Sequence, residues 1–187
     1  MQTTLETGRP ASGAGASERP HYELIELLFF AYRDFVGDPD RILEQYGFGR
    51  AHHRVLHFVN RNPGLTIAAL LDILKITKQS LNRVLKELLE QGYVEQRAGS
   101  NDRRQRLLYP TVQGKALALE LAHLQTMRIA RALDEAGPSA SDAARRFLEA
   151  MIEPAERPTA DRLVHVNDLH VNDLHIDDLP NGAGDAS

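Results

Sequence analysis

The most apolar stretch of the chain lies near its start. Between Tyr22 and Val36, the residues Leu24, Ile25, Leu27, Leu28, Phe29, Phe30 and Phe35 leave almost no polar side. A helix of this kind must be covered nearly all round, and a second subunit is the expected cover. Gly37-Asp38-Pro39-Asp40 is expected to break it, because proline lacks an N–H and crowds the preceding turn. A second helix is predicted from about His52 to Asn60, closed by Asn62-Pro63-Gly64.

Two short helices follow in close succession. Thr66 is placed to cap the first, with Leu65 and Leu70 as a hydrophobic staple; Thr77, with Ile76 and Leu81, repeats the arrangement for the second. The second carries Leu81, Val84, Leu85, Leu88 and Leu89 at the spacing of one buried helical face, and Gly92 stands where a C-terminal cap belongs. Tyr93 to Arg97 and Gln105 to Tyr109 are candidate strands around a polar loop, a β-hairpin with a basic tip. Thr111 opens a long helix predicted to reach about Glu135, Gly137-Pro138 ends it, and a last helix is predicted over about Ser141 to Ile152. The expected fold is mainly α with a small β-wing.

Composition divides the chain into three. Residues 1–20, rich in Gly, Ala, Ser, Thr and Pro, read as a disordered arm; residues 21–152 form the folded domain; residues 153–187 read as an acidic, disordered tail. The net charge of −4 opposes binding to a polyanion until it is partitioned the same way. The tail holds eight acids and two bases, so the first 152 residues carry +2, and residues 75–106 alone hold eight bases against four acids. A local basic footprint is what attracts a polyanion. Cysteine is absent, which excludes disulfides and thiolate chemistry. There is no apolar run of transmembrane length, and the first residues show no cationic start followed by an apolar stretch, so no secretory signal and a cytoplasmic protein without membrane partners are expected.

The exposed side of the Thr77 helix presents Thr77, Lys78, Gln79, Ser80, Asn82, Arg83 and Lys86 opposite its apolar stripe. In the major groove Arg and Lys read guanine edges, Asn and Gln read adenine edges, and the remaining donors hold phosphates. Alone, this is what any solvated amphipathic helix shows. It is followed by a hairpin carrying Arg97, Asp102, Arg103, Arg104 and Arg106, and an arginine-bearing loop suits a narrow minor groove. Helix, tight turn, polar-faced helix and basic hairpin, in that order, make a winged helix-turn-helix.

At this point the chain resembles the MarR family. Asp102-Arg103-Arg104-Gln105-Arg106-Leu107-Leu108-Tyr109-Pro110-Thr111 is similar to that family's wing signature, D-x-R-x-x-x-L-x-L-T, with Pro110 in place of the usual leucine, and Leu88 to Glu95 resembles its helix-to-wing junction. The missing proline N–H should end the second strand there. The resemblance covers about residues 22–152. It implies a homodimer with flanking dimerisation helices and two recognition helices about one DNA turn apart on a pseudo-palindromic operator. It also implies that Asp102 orients the wing through a nearby Arg, that Arg104 enters the minor groove, and that a small, often aromatic, ligand releases a repressor from DNA. Tyr32, Phe35, His52, His53 and His57 are candidate walls for such a ligand.

Other signals carry less. His53 and His57 stand at the i, i+4 spacing of helical metal ligands, but no third ligand is identifiable, and no metal or cofactor is predicted. The tail repeats His-Val-Asn-Asp-Leu from His165, His170 and, as His-Ile-Asp-Asp-Leu, from His175. A period of five matches neither a helix face nor a strand face, so a disordered or partner-induced acidic tail is the expected reading. No nucleotide loop, nucleophile elbow or seated carboxylate pair is present, so no enzyme is expected. The competing reading is a winged-helix protein-interaction or architectural module with the tail as its docking segment.

Overall fold

The computed structural model describes residues 20–99, 102 and 104–165. Two compact units divide at Asp34 and Phe35. Helix α1, Tyr22–Glu44, opens in the first unit. Its side chains there, among them Leu24, Ile25, Leu27, Leu28, Phe29 and Phe30, are exposed, so the apolar character read from the sequence is uncovered in one chain.

Contrary to the expected break, α1 does not stop at Gly37-Asp38-Pro39-Asp40 but runs on to Glu44, with Pro39 buried inside it. Asp38 is held by Arg128, whose Nη2 donates to Oδ2 at 2.6 Å. That contact joins residues 90 positions apart, and Val36, Pro39 and Leu43 of the same stretch are buried; burial of this apolar face, with the ion pair adding to it, offsets the local cost of the proline.

The second unit continues with α2 (Arg50–Arg61), β1 (Leu65–Thr66), α3 (Ile67–Leu74), α4 (Lys78–Glu90), β2 (Val94–Ala98), β3 (Arg106–Pro110), α5 (Val112–Ala136), α6 (Ala140–Met151) and α7 (Arg157–His165). The strands form an antiparallel sheet in the order β1-β3-β2. The register pairs Val94 with Pro110 and Ala98 with Arg106, and on the other side Leu65 with Leu108. β3 ends at Pro110, as the missing N–H requires.

The core gathers Leu43, Val55, Leu56 and Val59 with Leu70, Leu81, Val84, Leu88, Leu108, Leu117 and Leu121. Burying each of these large side chains contributes about 1.5–3 kcal/mol, so α2, α4, β3 and α5 share one apolar centre. Two close contacts fix the passage from wing to α5. Thr111 Oγ1 accepts the Gly114 N–H at 3.0 Å and donates to Gly92 O at 2.6 Å. A Cβ on Gly114 would lie 1.8 Å from Tyr93 O, so only glycine lets α5 approach this closely.

The acidic segment expected to be unstructured from residue 153 begins instead with α7. Pro158 sits in the first turn of that helix, where its missing N–H costs nothing. The arm before residue 20 and the remainder of the tail, with the repeat beyond His165, lie outside the described residues.

Candidate nucleic-acid interface

The turn between α3 and α4 is fixed at both ends. Thr66 Oγ1 accepts the Ala69 N–H at 3.1 Å and starts α3. Lys75 closes it in the left-handed region, φ 51°, with its N–H on Leu71 O. From α2, Arg54 Nη2 donates to Leu74 O at 3.0 Å. Thr77 Oγ1 then accepts the Ser80 N–H at 3.1 Å and starts α4. Leu81, Val84, Leu85 and Leu88 turn inward. Thr77, Lys78, Gln79, Ser80, Asn82, Arg83 and Lys86 are all exposed, so the structure places the nominated residues on one outward side of α4. Lys86 Nζ stands 3.8 Å from Glu90 Oε1, a loose pair on that surface.

One stabilising contact of α4 has no signal in the sequence pattern. Glu87 Oε2 lies 2.7 Å from His52 Nε2 on α2. His52, 8% exposed, stacks on Phe48 at 4.6 Å, and Phe48 meets Tyr93 edge-on at 5.1 Å. An aromatic and hydrogen-bonded column therefore runs from the start of α2 to the recognition helix and the wing.

The wing turn is built from its own backbone. Gly99 N donates to Gln105 O at 3.1 Å and Gln105 N to Asp102 O at 3.0 Å. Asp102 Oδ1 accepts the Arg104 N–H at 2.9 Å, a side-chain turn that fixes the tip. Asp102 thus meets an arginine through the main chain, and the Arg104 side chain stays exposed beside exposed Arg106. Arg97 lies along the hairpin, stacked 4.4 Å over the Tyr109 ring and paired with Glu95. Arg103 lies outside the described residues.

Of the five nominated ligand-wall residues, one lies in the first unit and four in the second. Tyr32 is exposed in the first unit beside Ile25, Leu28 and Phe29. Phe35 is half-buried, and His52 is occupied by Glu87. Burial holds the His53 imidazole below its usual value, with Asp40 opposing. Burial, assisted by His53 and Arg61, takes His57 down to about 4. A separate open cavity of about 480 Å³ is lined by Tyr46, Tyr93, Gln113, Leu117, Glu120 and His123, and none of the five lines it. Among the described residues no group of three or more His, Cys, Asp or Glu could hold a metal ion, and no helix is long and apolar enough to cross a membrane.

These elements define a winged helix-turn-helix: α3, turn and α4 beside a two-stranded wing. A profile of the MarR family matches residues 46–105. The HTH-type transcriptional regulator PetP of Rhodobacter capsulatus is 53% identical over 133 residues, covering 71% of this chain and 80% of that protein. The chain belongs to the MarR family of transcriptional regulators, which are not enzymes. Solved structures share the fold at low identity. A MarR regulator of Methanosarcina mazei has a TM-score of 0.59 at 21% identity, over 72% of this chain and 90% of that one. FabT of Streptococcus pneumoniae, solved in complex with DNA, has a TM-score of 0.63 at 15% identity, over 71% and 94%.

Proposed function

We propose that the protein is a homodimeric, cytoplasmic repressor that binds a pseudo-palindromic operator and leaves it when a small aromatic ligand binds. The observation that carries the DNA reading is the outward donor face of α4, with Lys78, Gln79, Asn82 and Arg83 exposed over a buried leucine stripe. In this reading α4 enters the major groove, with Arg and the amides on base edges and Thr77, Ser80 and Lys86 toward phosphates. Arg104 and Arg106, carried on a turn fixed by Asp102, enter the adjacent minor groove, with Arg103 a candidate by its sequence position alone.

Exposed apolar side chains support the dimer. One set lies on α1, including Leu24, Leu27, Phe29 and Phe30; another lies on α5 and α6, including Met127, Ile129, Phe147 and Leu148. Exposed large hydrophobics in such number mark an interface. The cavity under Tyr46 and Tyr93 is the seat proposed for the ligand: two aromatic side chains, with Gln113, Glu120 and His123 to orient a polar substituent. It abuts the aromatic column that reaches α4, through the 5.9 Å contact of Tyr46 with Tyr93. A ligand that favours one arrangement of that column shifts the population of DNA-competent dimers.

Selection of bound duplexes from random DNA, followed by titration at several salt concentrations, tests this reading. The expected result is two protomers per selected duplex and a steep fall of affinity with salt. A dimer with no salt-sensitive affinity for any duplex overturns it in favour of a protein-docking module. Aromatic acids added to the preformed complex test the ligand step by release of the duplex.

A further inference from the structure

We propose that the acidic C-terminal segment, residues 166–187, docks on the basic face of α4 and the wing in the free protein and competes there with duplex DNA. The proposal rests on the DNA-binding reading for its consequence, but the docking itself stands on three observations.

The first is where the described chain ends. α7 is tied to the helix-turn-helix rather than to the helices that precede it alone. Lys75, the last residue of the α3 turn and two before Thr77, bonds through Nζ to Asp72 at 2.8 Å and to Glu156 at 3.1 Å, just ahead of α7. Arg162 on α7 lies close enough to Asp72 to help hold its carboxyl below the usual range, after the larger effect of Lys75. The segment beyond His165 therefore issues from a helix anchored at the end of α3, two residues before the cap of α4.

The second is charge. Residues 166–187 hold five aspartates and no lysine or arginine. On the opposite side, Lys78, Arg83, Arg104 and Arg106 are exposed and no side-chain ion pair engages them among the described residues. The acids near them are already engaged: Glu87 with His52, Glu90 with Lys86, Glu95 with Arg97. A basic surface whose own acids are paired elsewhere is open to an outside anion.

The third is length and spacing. The 22 residues after His165 can reach up to about 70 Å when extended, while the 13 residues of α4 span only about 20 Å. The repeat sets successive aspartates five residues apart at Asp168 and Asp173, about 17 Å in an extended chain. Duplex DNA presents one charge per about 1.7 Å. The tail is thus a dilute polyanion, far weaker than DNA contact for contact but favoured by its tether, which gives an effective concentration of order millimolar. A cognate site with base contacts displaces it; random sequence, bound by charge alone, competes with it poorly. The device sharpens the contrast between operator and bulk DNA.

Two measurements on the full chain test this. In the first, Asp168, Asp173, Asp177, Asp178 and Asp185 are all replaced by Asn, and affinity for a random-sequence duplex is compared with the parent. The expected change is a three- to tenfold tightening at low salt that closes as salt rises, with operator affinity moving less. Equal affinity of parent and variant at every salt overturns the competition. The second separates docking from net charge. The chain has no cysteine, so Asn172→Cys accepts a single nitroxide label. Paramagnetic broadening of the amide signals of Lys78, Arg83, Arg104 and Arg106 in the free protein, relieved by added duplex, is the expected result. Absence of broadening at those positions overturns docking. If neither chain binds any duplex, the DNA reading has failed, and the broadening in the free protein still decides whether the tail docks.

Discussion

His52 and Glu87 join the helix that supports the recognition element to the recognition element itself. Nδ1 of His52 accepts the Gly49 N–H at 3.1 Å, so the ring proton resides on Nε2 and is donated to Glu87 Oε2 at 2.7 Å. One imidazole thus closes the start of α2 and sets the flank of α4, with the half-exposed Glu87 beside the outward donor face. Glu87→Ala leaves the His52 donor part-buried without its acceptor, which costs about 1–2 kcal/mol. The expected outcome is a lowered urea midpoint together with weaker operator binding. Glu87→Gln, which keeps an acceptor there, should recover most of both. Unchanged operator affinity in Glu87→Ala would show that the pair stabilises the fold without positioning α4.

The wing and the helix face should separate by salt dependence. Arg104→Ala removes an exposed side chain, so its thermal midpoint should match the parent while duplex affinity falls about tenfold, worth about 1.4 kcal/mol. Lys86→Ala, if Lys86 neutralises one phosphate, should lower the slope of log affinity against log salt by about one. Titrations of the three proteins on one duplex at four salt concentrations check both statements.

Gly114→Ala should be the most damaging small change in the domain. Its Cβ would fall 1.8 Å from Tyr93 O, against main chain that Thr111 also holds in place. Relief requires moving α5 away from the wing, at a cost of about 3 kcal/mol. Loss of the folded baseline, or a steep fall in urea midpoint, is the expected reading.

Acid should weaken the fold through His57. Burial lowers its pKa from 6.5 to about 4 in the folded protein, with His53 and Arg61 adding to the effect. The unfolded chain therefore binds this proton more readily. The stability is complete above 6.5 and is lost as the pH falls from 6.5 toward about 4. Between about pH 7 and about pH 5 the loss from this group is about 2 kcal/mol. His57→Gln removes the titration, so its urea midpoint should vary less over that interval than the parent's. An identical pH dependence would assign the acid sensitivity to other groups.

Local features of this protein were legible in its residues. Thr66, Thr77 and Thr111 cap α3, α4 and α5 where their side chains predict it, because a cap is settled within three residues of itself. The leucine stripe of α4 was legible for the same reason, and it fixed which side faces outward: Lys78, Gln79, Asn82 and Arg83. The end of β3 followed from the chemistry of Pro110 alone. Features stabilised across long stretches of chain were not legible. The two residues of β1 form a strand only because Gly64 N and the Leu65 backbone meet Leu108 on β3. α1 passes through Pro39 because tertiary packing buries Val36, Pro39 and Leu43, with Arg128 on Asp38 beside them. α7 lies near the turn between α3 and α4 because Glu156 meets Lys75. His53 and His57 share a helix face that a sequence can show, but only packing decides that burial keeps them neutral instead of making them ligands. The sequence by itself determined the winged helix-turn-helix and the donors it offers. Tertiary structure decided how α4 is braced and where the tail departs, since those contacts join residues that no periodicity relates.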